Sequence, residues 1–301
     1  MNRKAILRSL GRVVLWMFIH IVRVLPFPVA LAVGRGLGKL ICAVSRKRYR
    51  VALKNLQIAY GHELTPARRD TVARQSFVHF GMFAVECIKF AYMDQQEALR
   101  RIRTEGFEHL QNVMAEGKGC LLLSGHLGNF EIGARVVTAA GYELIALARE
   151  TRDPGTTDLM QQIRTRMGIK VITINQSLRP VLEGLKRNAV VAIICDQNAA
   201  DVFVPFFGRP TGTVAGPARL ALKTGAPIVT YSCTRDGRGG YRFYFQEPYR
   251  PRPSGNPSAD VAEVTAAINL RLEELIRQTP EQWLWFHDRW RSSPGVCHND
   301  P

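Results

Sequence analysis

Acids are scarce in this 301-residue sequence: 25 Asp and Glu stand against 41 Lys and Arg, a net charge of +16. Such an imbalance exceeds what solubility requires and suits an anionic partner, whether nucleic acid, an acidic membrane or an acidic protein. The six cysteines, Cys42, Cys87, Cys120, Cys195, Cys233 and Cys297, include no C-x-x-C pair, and no Cys/His cluster has ligand spacing. A structural metal site is therefore not expected, and most of the six read as reduced residues of a cytosolic compartment. There is no P-loop and no G-x-G-x-x-G after a strand, so no nucleotide cofactor is expected. G-x-S-x-G is also missing, which argues against a serine nucleophile on a strand–helix elbow. No solenoid repeat and no long Ser-, Gln- or Pro-rich tract occurs. What remains is a globular composition, 46% hydrophobic, able to bury a sizeable core.

The N-terminus is basic at Arg3, Lys4, Arg8 and Arg12, then apolar from Val13 to Val33 with interruptions at His20, Arg23, Pro26 and Pro28. A secretory signal, a transmembrane helix and an interfacial amphipathic helix all begin this way. The third is favoured. Lys4, Arg8 and Arg12 recur every four residues and Arg23 lies about three turns further on, which puts them on one side of a helix with Leu, Ile, Val and Phe opposite. Arg23 near the middle of a span would be costly.

From Leu37 to about Gln96 the pattern is helical, with Thr65–Pro66 as an N-cap followed by proline at the first helical position. Beyond Glu105, short apolar runs at Cys120–Ser124, Leu144–Ala148, Val171–Ile174, Val190–Cys195 and Pro227–Cys233 alternate with helical segments at 131–140, 156–167, 178–187 and 215–224. Tyr241–Phe245 reads as one more strand, Pro251–Pro257 as a loop and Asp260–Gln278 as a final helix. The alternation predicts an α/β fold with a largely parallel sheet flanked by helices. The expected divisions are a membrane-associating helix over 1–35, a helical portion over 36–104 and an α/β catalytic portion over 105–301.

The strand Cys120–Ser124 runs directly into Gly125-His126-Leu-Gly-Asn-Phe-Glu131. In open α/β sheets functional groups gather where strands end, and the flanking glycines permit a sharp turn that leaves the His126 imidazole accessible. Asn129 is placed to cap the next helix and Glu131 to lie in its first turn. A turn between them would bring the Glu131 carboxylate to the ring, the arrangement of a histidine general base with an orienting carboxylate. A lone H-x4-E occurs often by chance, and a lone histidine is more often structural than catalytic.

Ser124–Glu131 is, however, accompanied by Asp196-Gln197, Val202-Phe-Val-Pro-Phe-Phe-Gly-Arg-Pro210, Gly216–Pro227 and Pro280–Trp290. In that order these segments resemble the bacterial late lipid A acyltransferases, a branch of the lysophospholipid acyltransferase superfamily, over roughly residues 20–292. The resemblance implies one continuous acyltransferase domain, glycerolipid acyltransferase-like in fold, at the cytoplasmic face of a bacterial inner membrane. It implies that His126, held by Glu131, deprotonates a lipid hydroxyl that attacks an acyl thioester, with acyl carrier protein or coenzyme A as donor and no metal or cofactor. Acyl carrier protein is acidic, which gives the +16 charge a second use. Arg149 and Arg164 are the candidates for an oxyanion or phosphate contact, Asp196 for positioning an arginine or the acceptor, and Asn129 for binding substrate; for each a cap or a solvated face is the plain alternative. Phe203, Phe206 and Phe207 are weighed as an acyl channel but expected in the core, and Trp283, Trp285 and Trp290 are expected to pack. The Leu-Gly-Asn-Phe insert between His126 and Glu131 is less apolar than in enteric lipid A enzymes, so another lipid acceptor, such as a lysophospholipid or a phosphatidylinositol mannoside, stays open. A non-catalytic basic protein that binds a membrane or nucleic acid is disfavoured, because the basic residues cluster at the N-terminus while the α/β part carries the motifs; no nucleic-acid partner is expected.

Overall fold

The computed structural model describes residues 3–149, 153–173 and 178–295. Its N-terminal third is helical: α1 (Arg3–Val24), α2 (Phe27–Val44), α3 (Arg46–Tyr60), α4 (Pro66–Tyr92) and α5 (Gln95–Arg100). The apolar stretch expected as one helix is therefore two. Pro26 has no N–H and cannot continue α1, so the chain turns there and Pro26 becomes the N-cap of α2. The basic stripe proposed for α1 falls largely on side chains outside the described residues; Arg23 stacks over the Tyr92 ring at 3.8 Å. Thr65 caps α4 as expected, its side chain accepting from Arg68 N at 3.2 Å, with Pro66 in the first turn.

The helix α2 is long and apolar enough to cross a membrane. One of its faces is nevertheless taken. Gly34 and Gly38 of α2 meet Gly81 of α4 so closely that a Cβ built on Gly38 would lie 2.4 Å from Phe77 O, and one on Gly81 2.3 Å from Gly34 O. Two helices approach this closely only where both lack side chains at the crossing. Gly38→Ala is expected to cost about 1–3 kcal/mol by overpacking. Gly36→Ala, on the same helix with nothing within 4 Å of the new methyl, should be neutral or stabilise by up to about 1 kcal/mol. Thermal unfolding of the two variants in one detergent checks the contrast.

The remaining elements are β1 (Ile102–Glu105), α6 (Phe107–Ala115), β2 (Cys120–Ser124), α7 (Ala134–Ala139), β3 (Leu144–Ala148), α8 (Pro154–Arg166), β4 (Ile169–Thr173), α9 (Arg179–Lys186), β5 (Val190–Ile194), β6 (Asn198–Phe206), β7 (Arg209–Thr213), α10 (Gly216–Thr224), β8 (Ile228–Arg235), β9 (Tyr241–Phe245) and α11 (Pro257–Gln278). Seven strands form one sheet in the order β1-β9-β8-β2-β5-β3-β4, and β6 and β7 form a separate antiparallel hairpin. Every neighbouring pair in the large sheet is parallel except β8–β9. The α/β fold with a largely parallel, helix-flanked sheet is as the sequence predicts. The strand β1 straddles the expected join at residue 104.

Successive residues of a strand face opposite sides of the sheet, and the buried strands here feed two cores. Cys120 and Leu122 of β2 join the core that holds Val85, Phe90, Val137 and Ile163. Leu121 and Leu123 join the core that holds Leu56, Phe77, Leu185 and Ile268. The long helix α4 supplies both cores, its early residues one and its later residues the other. Phe206 and Phe207 are buried against Trp283, Trp285 and Trp290, while Phe203 is exposed. Phe206, Phe207 and the three tryptophans are core, as expected; Phe203, expected in the core with them, is instead on the surface of the β6–β7 hairpin. Cys42, Cys87, Cys120, Cys195 and Cys233 are free thiols; Cys297 lies outside the described residues.

Candidate active site

The parallel strands β2, β5 and β8 end on the same edge of the sheet, and that edge carries His126, Asp196 and Arg235. After β2 the chain turns through Gly125, where a Cβ would sit 2.7 Å from the Asp196 carboxylate. It then crosses β8 at Gly128. That residue has φ +60° and its Cβ position would fall 2.2 Å from Cys233 O, so only glycine fits. Backbone hydrogen bonds pin the loop on both sides: Gly128 N to Gln282 O at 2.9 Å, Asn129 N to Cys233 O at 2.7 Å, and Leu284 N to His126 O at 3.2 Å.

The His126 ring is held by Asp196. Nδ1–H donates to Asp196 Oδ1 at 2.7 Å, and the His126 backbone N–H donates to Oδ2, also at 2.7 Å. Trp283 Nε1–H donates to the same Oδ2 at 2.7 Å. The carboxylate therefore faces only donors, which makes Nδ1 the protonated nitrogen and Nε2 the one with a free lone pair. Burial opposes ionisation of both groups, but each stabilises the charge of the other. The net result lowers Asp196 to about 2 and raises His126 above its ordinary value, with a smaller contribution from the Glu131 charge.

This corrects the expected pairing. Glu131 does not hold the ring; among the described residues its carboxylate bonds Arg164, whose Nε lies 3.0 and 3.1 Å and one terminal nitrogen 2.5 Å from the Glu131 oxygens. The physical reason is the helix start. The chain from Phe130 to Gly133 is a turn and α7 begins only at Ala134, so Glu131 points toward α8. Arg164 lies on α8 as predicted, but as half of a largely buried ion pair and not as a free cation. Asn129 is also reassigned. It has no exposed surface; its amide donates to Glu86 Oε2 at 2.8 Å and its carbonyl accepts from Glu131 N at 3.3 Å and Ile132 N at 3.4 Å. It shapes the turn and is not open to a substrate. Asp196, a candidate acceptor contact, orients the imidazole instead. Arg149 is exposed at the end of β3 and lines neither cavity described below. Ser124 Oγ is buried and donates to Tyr231 O, so it is no nucleophile.

A second polar cluster was not anticipated. Arg235, at the end of β8, forms a bidentate pair with Glu86 of α4, Nε–Oε1 at 2.6 Å and the second contact at 2.5 Å, with Glu86 fully buried. Arg235 also donates to His79 Nδ1 at 2.9 Å. The readable signal was Glu86 itself, an acid inside the apolar helical run Phe83-Ala-Val-Glu-Cys-Ile.

Two cavities share Phe130 in their walls, and one of them is lined by His126. The larger, with about 510 Å³ of empty space, is apolar and runs between Leu122, Val137, Leu144, Ile169, Ala192 and Phe243, with Glu131 and Arg164 also in its wall. The smaller, about 280 Å³, is lined by His126 together with Ser76, His79, Phe80, Phe83 and Gln282. Phe130 lines both and meets the His126 ring edge-to-face at 5.2 Å. An oriented imidazole with a free Nε2, in a partly polar cleft that shares a wall residue with an apolar one, can move a proton while an apolar chain is held alongside.

Comparison with known proteins identifies the family. The family model described as bacterial lipid A biosynthesis acyltransferase matches residues 2–292. A lipid A biosynthesis lauroyltransferase of Escherichia coli (strain K12) is 30% identical over 294 residues, 95% of this chain and 91% of the relative. The lipid A biosynthesis palmitoleoyltransferase of the same organism is 26% identical over 292 residues, 94% and 90% of the two chains. A phosphatidylinositol mannoside acyltransferase of Mycobacterium tuberculosis (strain CDC 1551 / Oshkosh) is 26% identical over 230 residues, 73% and 71%. The chain belongs to the bacterial lipid A biosynthesis acyltransferase family and is an acyltransferase.

Proposed function

We propose that this acyltransferase moves a fatty acyl group from an acyl carrier protein or coenzyme A thioester onto a hydroxyl of a lipid A precursor, with His126 as general base. The observation that carries the reading is the fixed tautomer: Asp196 holds the proton on Nδ1, which leaves Nε2 to accept one. The acyl chain lies in the apolar cavity and its thioester carbonyl at the mouth, where Phe130 separates the two spaces. Nε2 takes the proton of the acceptor hydroxyl as its oxygen attacks the carbonyl carbon. The tetrahedral intermediate collapses with loss of the thiolate, and the imidazolium returns the proton to the sulfur. Glu131 and Arg164 border the chain near its reactive end, and their mutual ion pair keeps a lone charge out of an apolar space.

The membrane supplies the acceptor. Val13, Trp16 and Val24 on α1 and Leu40 and Val44 on α2 are exposed, a pattern suited to an interface and not to water. The crossing of α2 over α4 brings Gly34 and Gly38 against the stretch Phe77–Met82, which carries His79 and Phe80 of the smaller cavity. On this reading the enzyme works at the cytoplasmic face of the inner membrane, on the side of its thioester donors. Its charge of +16 favours anionic lipid and an acidic carrier protein alike.

The test is an acceptor panel with detergent-solubilised protein and labelled acyl carrier protein thioesters. It holds a lipid A precursor, lysophospholipids and a mannosylated inositol lipid. Transfer to the lipid A precursor that drops by about 10²- to 10⁴-fold in His126→Ala is the expected result. Transfer only to the mannosylated lipid, the acceptor class in the name of one relative, would keep the chemistry and replace the substrate. Equal transfer by the variant would remove His126 from the mechanism.

A further inference from the structure

Arginine has only donors, and this fixes the state of a second imidazole beside the base. Arg235 is itself immobilised by its two contacts to Glu86 and by Gln282 Oε1 at 3.4 Å, and it donates to His79 Nδ1 at 2.9 Å. His79 Nδ1 must therefore accept, and the ring proton must sit on Nε2. Nε2 has no hydrogen-bond partner among the described residues, and His79 lines the same cavity as His126. The cavity thus contains two imidazoles of opposite sense: Nε2 of His126 accepts when that ring is deprotonated, and Nε2–H of His79 donates.

We propose that the smaller cavity is the subsite for the acceptor headgroup and that His79 binds it, donating from Nε2–H to an oxygen close to the reacting hydroxyl. The ligand class that matches one acceptor and one donor in the same cavity is a polyhydroxylated or ester-bearing lipid headgroup. Its mixed lining of Ser76, His79, His126 and Gln282 with Phe80 and Phe83 suits a headgroup and not an acyl chain. Phe80 and Phe83 give a sugar ring apolar faces to lie against. Burial together with the Arg235 and Arg35 charges pushes His79 down to about 3, so its ring stays neutral at any working pH and does not compete with His126 as an acid or base. This inference rests on the acyltransfer reading above and adds a residue to it.

The test compares His79→Leu with His79→Gln in the same transfer assay, alongside the slow hydrolysis of the thioester by water. Leucine removes the donor. Glutamine can turn its carbonyl to Arg235 and its N–H to the cavity. Loss of one neutral hydrogen bond corresponds to about a tenfold change. For H79L the acceptor KM is expected to rise about tenfold and the transfer-to-hydrolysis ratio to fall by a similar factor, with the donor KM moving less than twofold. H79Q should recover most of both. Equal losses of transfer and hydrolysis with an unchanged acceptor KM would overturn the proposal, as would an H79Q no better than H79L. Should H79L lose the fold, as judged by its Tm, His79→Asn replaces it, since its shorter amide meets Arg235 but does not reach the cavity. A wild-type enzyme that transfers to no lipid in the panel would instead defeat the acyltransfer reading, and this one with it.

Discussion

Asp196→Asn is expected to lower acyl transfer by about 10²- to 10⁴-fold while leaving the fold intact. The reason lies in how the carboxylate is divided. Oδ2 receives two N–H groups, from the His126 backbone and from Trp283, and Oδ1 receives the ring N–H. An amide placed there turns its oxygen to the two donors that cannot adjust. Its NH2 group then faces Nδ1, which has to accept, and the ring proton moves to Nε2. The nitrogen that should take a proton now carries one. A pH profile separates this from simple damage. A general base works when deprotonated, so the wild-type rate should rise with pH through a value above the ordinary histidine range, because His126 is raised by the Asp196 charge. Without that charge the rising limb of the residual activity should move to lower pH. A limb that stays in place would show that Asp196 does not set the state of the base.

The second large effect concerns stability. Glu86 is fully buried, and Arg235 reaches it from across the site. Glu86→Ala leaves the Arg235 guanidinium without its counter-charge and removes the partner of the Asn129 amide. A loss of about 3–5 kcal/mol is expected, which for a chain of this size lowers Tm on the order of 10 °C. The double variant Glu86→Met/Arg235→Met should be more stable than Glu86→Ala, because removing both charges leaves none stranded. Thermal unfolding of the three proteins decides it. A double variant less stable than the single would show that Arg235 matters mainly for its contacts to His79 and Gln282.

Much of this was legible in the sequence, and the illegible part has a common cause. The strand runs stood out because central parallel strands are buried on both faces and read as unbroken apolar stretches; Cys120–Ser124 and Leu144–Ala148 appear with the predicted bounds. His126 stood out because it follows such a strand between glycines. Asp196 was visible as a residue at a strand end, but its role depends on β5 lying beside β2. Strand order is set by packing and leaves no local mark. The same holds for Arg164, 33 positions from Glu131, and for Arg235, 149 positions from Glu86. The β6–β7 hairpin went unread because Pro205 and Pro210 interrupt a pattern that otherwise suits strands. Pro26 was noted as an interruption, yet a proline marks where a helix stops and does not say whether another follows.

The order of strands in the large sheet also bears on how the protein is made. Among the described residues, edge strand β1 has β9 as its only neighbour, and Ile102 pairs with Tyr241. Central strand β2 lies between β5 and β8, so one side of it waits for residues 228–230. A ribosome adding about 5–20 residues per second needs on the order of ten seconds to go from β1 to β9. For most of that interval the helices of the first hundred residues have been made, with apolar side chains and half of a core but no complete sheet to cover them. Contact with the membrane or a chaperone in those seconds would keep the nascent chain from aggregating until its last third arrives to close the sheet.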